Sequence, residues 1–359
     1  MKKSLIIIFN FLLFSPFISY SQDTIRPVWD GFFEKAGYSR PFISEIHSTV
    51  SKIEVGYNKS YSEYNLLEQN SKFDRPMVEM HIGFDIPLYA ITFGTVGNNK
   101  PKWGLAISLP LSVHVLEDMW DPVTAPVLNT DYRFGSARIR AIRYFPETDF
   151  LKNISFSWLP IFHECTHLGD EITIYRMDEN FPITRINVSY EYTEFQVTLN
   201  DPDGSRETCH SLRLGGLYRI SNRGLGWFSA RKDAELTTDL EIPESKYRAE
   251  YYAEYQFQRS SGFLASKRFV NLISFEVRNR LRYGYPLFKK VDNVWETTEV
   301  KEKMQPNFNL YLGYKFYPRS ANSQSVGLFF HGYRGLNPYG QLRNYPGYPF
   351  FGLALTYEP

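Results

Sequence analysis

Long runs of strict apolar–polar alternation constrain this chain more than any other feature. Tyr247, Ala249, Tyr251, Ala253, Tyr255 and Phe257 alternate with Lys246, Arg248, Glu250, Tyr252, Glu254 and Gln256. Ile273, Phe275, Val277, Leu281 and Tyr283 alternate with Ser274, Glu276, Arg278, Arg280 and Arg282. A period of two is that of a β-strand, whose successive side chains leave on opposite faces. The pattern recurs at Val78–Ile86, Trp103–Val113, Phe308–Phe316 and Leu353–Tyr357. Several runs last about ten residues or more, the length of a tilted transmembrane strand and longer than the five or six usual in soluble sheets.

Composition points the same way. The chain carries 29 Phe and 26 Tyr, 17% aromatic in all, yet its mean hydropathy is only −0.35. A transmembrane β-barrel needs that combination, with rings facing lipid and polar groups facing the lumen. Turn-rich breaks at Gly97-Asn98-Asn99, Asp201 to Gly204 and Pro318 to Gln324 divide the runs. The expected fold is therefore all-β, a single-domain antiparallel transmembrane β-barrel of about twelve strands, within ten to fourteen. Trp103, Trp158 and Trp227 suit its interfacial girdles.

The first residues read as an address. Lys2-Lys3, an apolar run from Leu5 to Phe14 and Ser19-Tyr20-Ser21 have the order of a secretory signal peptide cleaved near Ser21. Residues 22–45 show no clear period and read as a periplasmic arm, and 46–359 as the barrel. The expected location is the outer membrane of a Gram-negative bacterium, with membrane lipid and the barrel-insertion machinery as partners. With 40 basic and 39 acidic residues the net charge is +1, which gives nucleic acid no phosphate-binding surface. No glycine-rich phosphate loop occurs, so no nucleotide is expected, and no cofactor or metal is assigned.

If Tyr and Phe face lipid, the other parity faces the lumen. That row holds Arg213, Arg219, Arg248, Glu250, Glu254, Glu276, Arg278, Arg280 and Arg282. Arginines alone would suggest an anion-selective pore. The acids among them favour an interior filled by paired charges and water.

One short stretch concentrates chemistry: His163-Glu164-Cys165-Thr166-His167-Leu168-Gly169-Asp170-Glu171. It contains His-Glu-x-x-His, which on a helix sets two imidazoles one turn apart for zinc, with the Glu as a protease's general base. Its flanks argue against a helix. Asn153 to Trp158 alternate as a strand, Pro160 precedes His163, and Gly169 follows His167. On a strand His163, Cys165 and His167 share one face. Counting back by twos puts them on the polar face of Asn153, Ser155 and Ser157, inside the lumen, unless a bulge near Pro160 shifts the register. A third reading is hydrolytic. Outer-membrane lipid hydrolases place a His and a Ser two apart on a barrel strand, as His163 and Cys165 are, with Asp170 or Glu171 to orient the base. Those enzymes resemble His-x-Ser-Asn, and the inward parity turns the pair away from lipid. Cys165 and Cys209 are the only cysteines. Spacing alone does not decide between a disulfide and free thiols.

The segment, with Leu128-Asn129-Thr130-Asp131-Tyr132-Arg133-Phe134-Gly135 upstream and Gly332 to Leu342 downstream, resembles the uncharacterised bacterial exported and outer-membrane family of unknown function 1207. The resemblance is dense over about 130 to 175. It implies an outer-membrane barrel and brings no known activity. This chain departs with Glu164 where that group has Gln and Cys165 where it has Ser, which makes the zinc-protease match incidental. The leading functional expectation is a non-enzymatic channel or structural envelope barrel. The alternatives are a lipid hydrolase using His163 and Cys165 and, last, a zinc protease.

Overall fold

In the computed structural model the alternating runs are the staves of one closed barrel. Residues 28–29, 40–59, 74–96, 100–117, 119, 127–145, 148, 150–168, 185–202, 208–221, 226–228, 240–241, 245–260, 268–291, 294–318, 324–340 and 348–358 are described. The barrel strands are β1 (Ser51–Lys59), β2 (Asp74–Val96), β3 (Lys100–Glu117), β4 (Val127–Gly135), β5 (Arg138–Tyr144), β6 (Asn153–Leu168), β7 (Ser189–Leu199), β8 (Cys209–Ser221), β9 (Ala249–Ser260), β10 (Phe269–Arg282), β11 (Lys303–Phe316), β12 (Ser325–Gly335) and β13 (Tyr348–Glu358), with short strands outside them. Each stave pairs antiparallel with the next, and β13 closes on β1 through pairs such as Leu353 with Val55. β4 and β5 are halves of one interrupted stave, so the barrel has twelve.

The two rims differ. Connections at the rim bearing the end of β13 are short: 97–99, 145–152, 200–208, 261–268 and 317–324. Those at the distal rim are mostly longer: 60–73, 118–126, 169–188, 222–248, 283–302 and 336–347. Outer-membrane barrels have this asymmetry, with short turns at the periplasmic end.

The polarity is inside-out relative to a soluble protein. Leu328, Phe330, Leu353 and Leu355, neighbours across β12 and β13, are 59%, 59%, 49% and 51% exposed. Arg213, Glu254, Glu276 and Arg278 are at most 1% exposed. So large an apolar surface is a liability in water and a requirement in lipid. Of the lumen row, Arg213, Arg219, Glu250, Glu254, Glu276, Arg278 and Arg280 are buried, while Arg248 and Arg282 are half-buried toward the distal rim. Arg282 differs from expectation because the parity slips just before it. Leu281 and Tyr283, expected on lipid, turn inward and pack with Leu217, Tyr190 and Tyr192, and Leu281 N donates to Glu250 Oε1.

Among the described residues, an N-terminal segment occupies the lumen. Residues 40–50 run inside it, so the last residues of the stretch read as an arm lie within the barrel wall. Their backbone bonds to side chains of distant staves. Ile43 N donates to Gln256 Oε1 (3.2 Å), Ser44 N to Ser274 Oγ (3.1 Å) and Ile46 N to Glu276 Oε2 (2.8 Å). Asn309 Nδ2 donates to the Ser44 carbonyl (2.6 Å). Buried backbone groups need partners, and here lumen side chains supply them. Arg213 pairs at once with Glu45 of this plug (3.0 Å) and Glu254 of β9 (3.2 Å). Gly83 of β2 lets the plug approach, since a Cβ there would lie 2.5 Å from the Thr49 backbone. From the distal side, residues 336–340 fold back as a cap. Arg280 donates to the Asn337 carbonyl (3.0 Å), and Tyr339 packs with Met77, Leu116 and Leu128.

Candidate functional site

The two stretches singled out in the sequence, Leu128–Gly135 and His163–Leu168, are adjacent strands: Arg133 pairs with Glu164 and Tyr132 with Cys165. Both strands carry an extra residue at the same level. Between the pairs Ser112–Arg133 and Ser108–Arg138, the β4–β5 stave takes five steps where β3 takes four. Between Leu159–Glu194 and Phe162–Tyr192, β6 takes three where β7 takes two. The two bulges face each other. Ser136 N and Ser136 Oγ both donate to the Ile161 carbonyl (2.8 and 2.9 Å), and Ile161 N donates to Ser136 Oγ (3.0 Å).

A bulge reverses every side chain beyond it. Below it Ser155, Ser157 and Leu159 point inward; above it Phe162, Glu164 and Thr166 do. The expected lumen orientation of His163, Cys165 and His167 is therefore corrected: all three lie on the outer face, because the shift at Pro160–Ile161 takes place. Glu164 goes inward instead. It is fully buried and meets Arg133 Nε at 3.3 Å. Arg133 Nη1 also reaches the His114 ring (3.1 Å to Nε2). Asp131 beside them accepts from Asn129 Nδ2 and from Gly340 N of the cap, both at 2.9 Å.

On the outer face His163 Nδ1 lies 3.2 Å from Glu191 Oε1, directly across on β7. Cys165 follows two residues along, with Ser189 opposite it. Same-face neighbours on a strand stand about 7 Å apart at the backbone, a gap that an imidazole and a thiol can span. The surroundings are apolar and open: Phe134 against His163 is 48% exposed, and Ile161 52%. From Leu199, the exposed rung of β7 nearest the short-turn rim, to Glu191 is about 20 Å along the normal for a strand tilted about 40°. That places the group near the distal edge of an apolar band about 25 Å tall.

Behind the group, the lumen side carries a ring cluster next to the buried Glu164–Arg133 pair. Leu159, Phe162, Val188, Tyr190, Tyr192 and Leu217 form a buried cluster there. At this level of β6 and β7, tyrosines face inward and His163, Cys165, Glu191 and Ser189 face outward. Sequence reasoning missed Glu191 and Ser189 for this reason. Tyr190 and Tyr192 alternate with Ser189, Glu191 and Thr193, and a rule that sends tyrosine to lipid sends Glu191 inward. The signal available was the uniformly polar row 189, 191, 193.

The remaining candidates fall as follows. Asp170 and Glu171 lie outside the described residues. His163 and His167 are four residues apart on a strand, about 13 Å, too far to share one ion as a helical pair does. Among the described residues, no three of His, Cys, Asp or Glu converge as metal ligands. Cys165 and Cys209 are not joined in a disulfide, and Cys209 Sγ lies 3.6 Å from Ser211 Oγ.

No family model matches the chain, and no curated protein does. Among solved structures it is similar to an active-site mutant of outer membrane phospholipase A from Escherichia coli, at 10% identity and a TM-score of 0.43, covering 89% of this chain and 92% of that one. The calcium-bound dimer of the Salmonella typhi outer membrane phospholipase gives 9% and 0.43, covering 86% and 90%. Acinetobacter baumannii OccAB3 gives 8% and 0.31, covering 86% and 97%. At these scores the likeness is of barrel to barrel and carries no chemistry.

Proposed function

We propose that this chain is a closed outer-membrane barrel whose working surface is its lipid-facing side, where Cys165, His163 and Glu191 cleave acyl esters of membrane lipids. One observation carries the reading: the register shift that sets an ionisable pair and a thiol on the outer face. Near the edge of the apolar band an ionisable pair is held at a cost of only about 0–1 kcal/mol, within reach of the ester region of membrane lipids.

The chemistry follows from the atoms. Glu191 accepts from His163 Nδ1–H, leaving Nε2 unprotonated and free to turn toward Cys165. Nε2 takes the thiol proton as sulfur attacks the ester carbonyl carbon. The C–O bond breaks, the alcohol leaves with that proton, and the acyl group stays as a thioester. Water, deprotonated by the same imidazole, then releases the fatty acid and restores the thiol. The flanking apolar side chains favour an ester delivered sideways from the bilayer over one arriving from water.

The test is fatty-acid release from phospholipid in mixed micelles by the purified barrel. His163→Ala and Cys165→Ala should each lose about a hundredfold or more, the usual worth of a base or nucleophile, and Glu191→Gln somewhat less. Absence of release by the unaltered protein from every lipid ester tried would sink the reading. What supports the second reading, a purely structural closed barrel, is the plug and cap, and it would then stand alone. Export goes with either reading: the mature chain should begin at Gln22, which N-terminal sequencing checks.

A further inference from the structure

Two bulges in adjacent strands are harder to keep than one, since each leaves backbone groups outside the ladder. Here they are locked to one another. Ser136, the residue out of register between β4 and β5, uses its amide and hydroxyl to satisfy both the N–H and the carbonyl of Ile161, at 2.8–3.0 Å. Gly135 next to it allows the approach: a Cβ there would lie 2.4 Å from the Ile161 carbonyl oxygen and 2.7 Å from Phe162 Cα. On the other flank Thr193 Oγ1 of β7 donates to the Leu159 carbonyl (3.1 Å) and accepts from Trp158 Nε1 (3.1 Å). The bulge in β6 is therefore held from both neighbouring strands.

We infer that Ser136 and Gly135, with Thr193, are positioning residues that set which face of β6 meets lipid, and so present His163 and Cys165 to the membrane. Without the clamp both ladders can straighten. The segment above then rotates by half a strand period: Glu164 and its cross-strand partner Arg133 turn to lipid, and Cys165, with Tyr132, turns into the lumen. None of the three residues touches a reacting atom. The inference rests on the proposed site, but its consequence, the facing of a thiol, is measurable without any hydrolysis.

The experiment uses the full-length barrel in phosphatidylcholine vesicles with Cys209→Ser, leaving Cys165 as the sole thiol, and a maleimide tethered to a phospholipid as probe. Cys165 should label from the lipid phase. Ser136→Ala removes both hydroxyl hydrogen bonds to Ile161 and should slow labelling roughly tenfold to a hundredfold, the factor two lost hydrogen bonds give, and Ser136→Thr, which keeps the hydroxyl, should restore it. A barrel with both cysteines removed and Leu353→Cys on the far outer face should label equally with and without Ser136→Ala, separating a change of facing from general loosening. Should Ser136→Ala prevent insertion, judged by heat-modifiable gel mobility, Thr193→Val probes the other flank and should also slow Cys165 labelling. Unchanged labelling in inserted clamp variants overturns the inference, as does an unaltered Cys165 that ignores the lipid probe. Labelling that follows the clamp in a protein that cleaves no lipid upholds the inference and rejects the hydrolase.

Discussion

Arg213→Met is the sharpest probe of what fills the lumen. The guanidinium is 1% exposed and holds two carboxylates, Glu45 of the plug at 3.0 Å and Glu254 of β9 at 3.2 Å, with Phe42 of the plug 4.3 Å below it. Methionine keeps the stem and removes the charge. In a packed interior the two carboxylates lose their shared cation, and breaking a buried pair this way costs about 3–5 kcal/mol. In a water-filled pore both stay hydrated, and the loss is about 0–1 kcal/mol, as at a surface. The assay is equilibrium unfolding in detergent micelles, followed by heat-modifiable gel mobility. Adding Glu45→Gln and Glu254→Gln to Arg213→Met should recover most of the loss, because replacing a whole buried ionic group is often near neutral. A single-variant loss below about 1 kcal/mol would refute the packed lumen and return the protein to the channel class.

Three further outcomes follow from the same architecture. Gly83→Val drives a side chain into the Thr49 backbone, so it should unseat the plug and give conductance steps in planar bilayers where the unaltered barrel gives none; silence in both would mean the plug tolerates the clash. Leu353→Arg on the outer face should cost about 2–4 kcal/mol if that rung lies near mid-bilayer, whereas His163→Arg should cost only about 0–1 near the interface. Equal costs would contradict the assigned depth of the site. Glu164→Ala leaves Arg133 without its fully buried partner and should destabilise by about 3–5 kcal/mol; a neutral result would mean that Glu164 is not held inside.

Strand alternation made the barrel legible because the period is local: Tyr251 and Glu250 announce opposite faces without reference to any other strand. The inward charges of β8, β9 and β10 followed directly. The bulges did not, since Trp158-Leu159-Pro160-Ile161-Phe162 is apolar throughout and fits either parity. Only the pairing with β7 shows where the extra residue falls. Ser136 gave no cue, as a serine beside a glycine reads as an ordinary break. The plug was equally silent. Phe42 to Val50 has no period, and what seats it are Gln256, Ser274, Glu276 and Asn309, more than two hundred residues downstream.

That distance has a bearing on how the barrel closes. Val50 passes directly into Ser51, the first residue of β1, and β1 forms the closing seam with β13. Residues 42–50 are seated by side chains far along the chain, on β9, β10 and β11. The seam closes around them. A barrel closed without residues 42–50 would leave Gln256, Ser274 and Glu276 without the backbone amides that they accept from in the closed form.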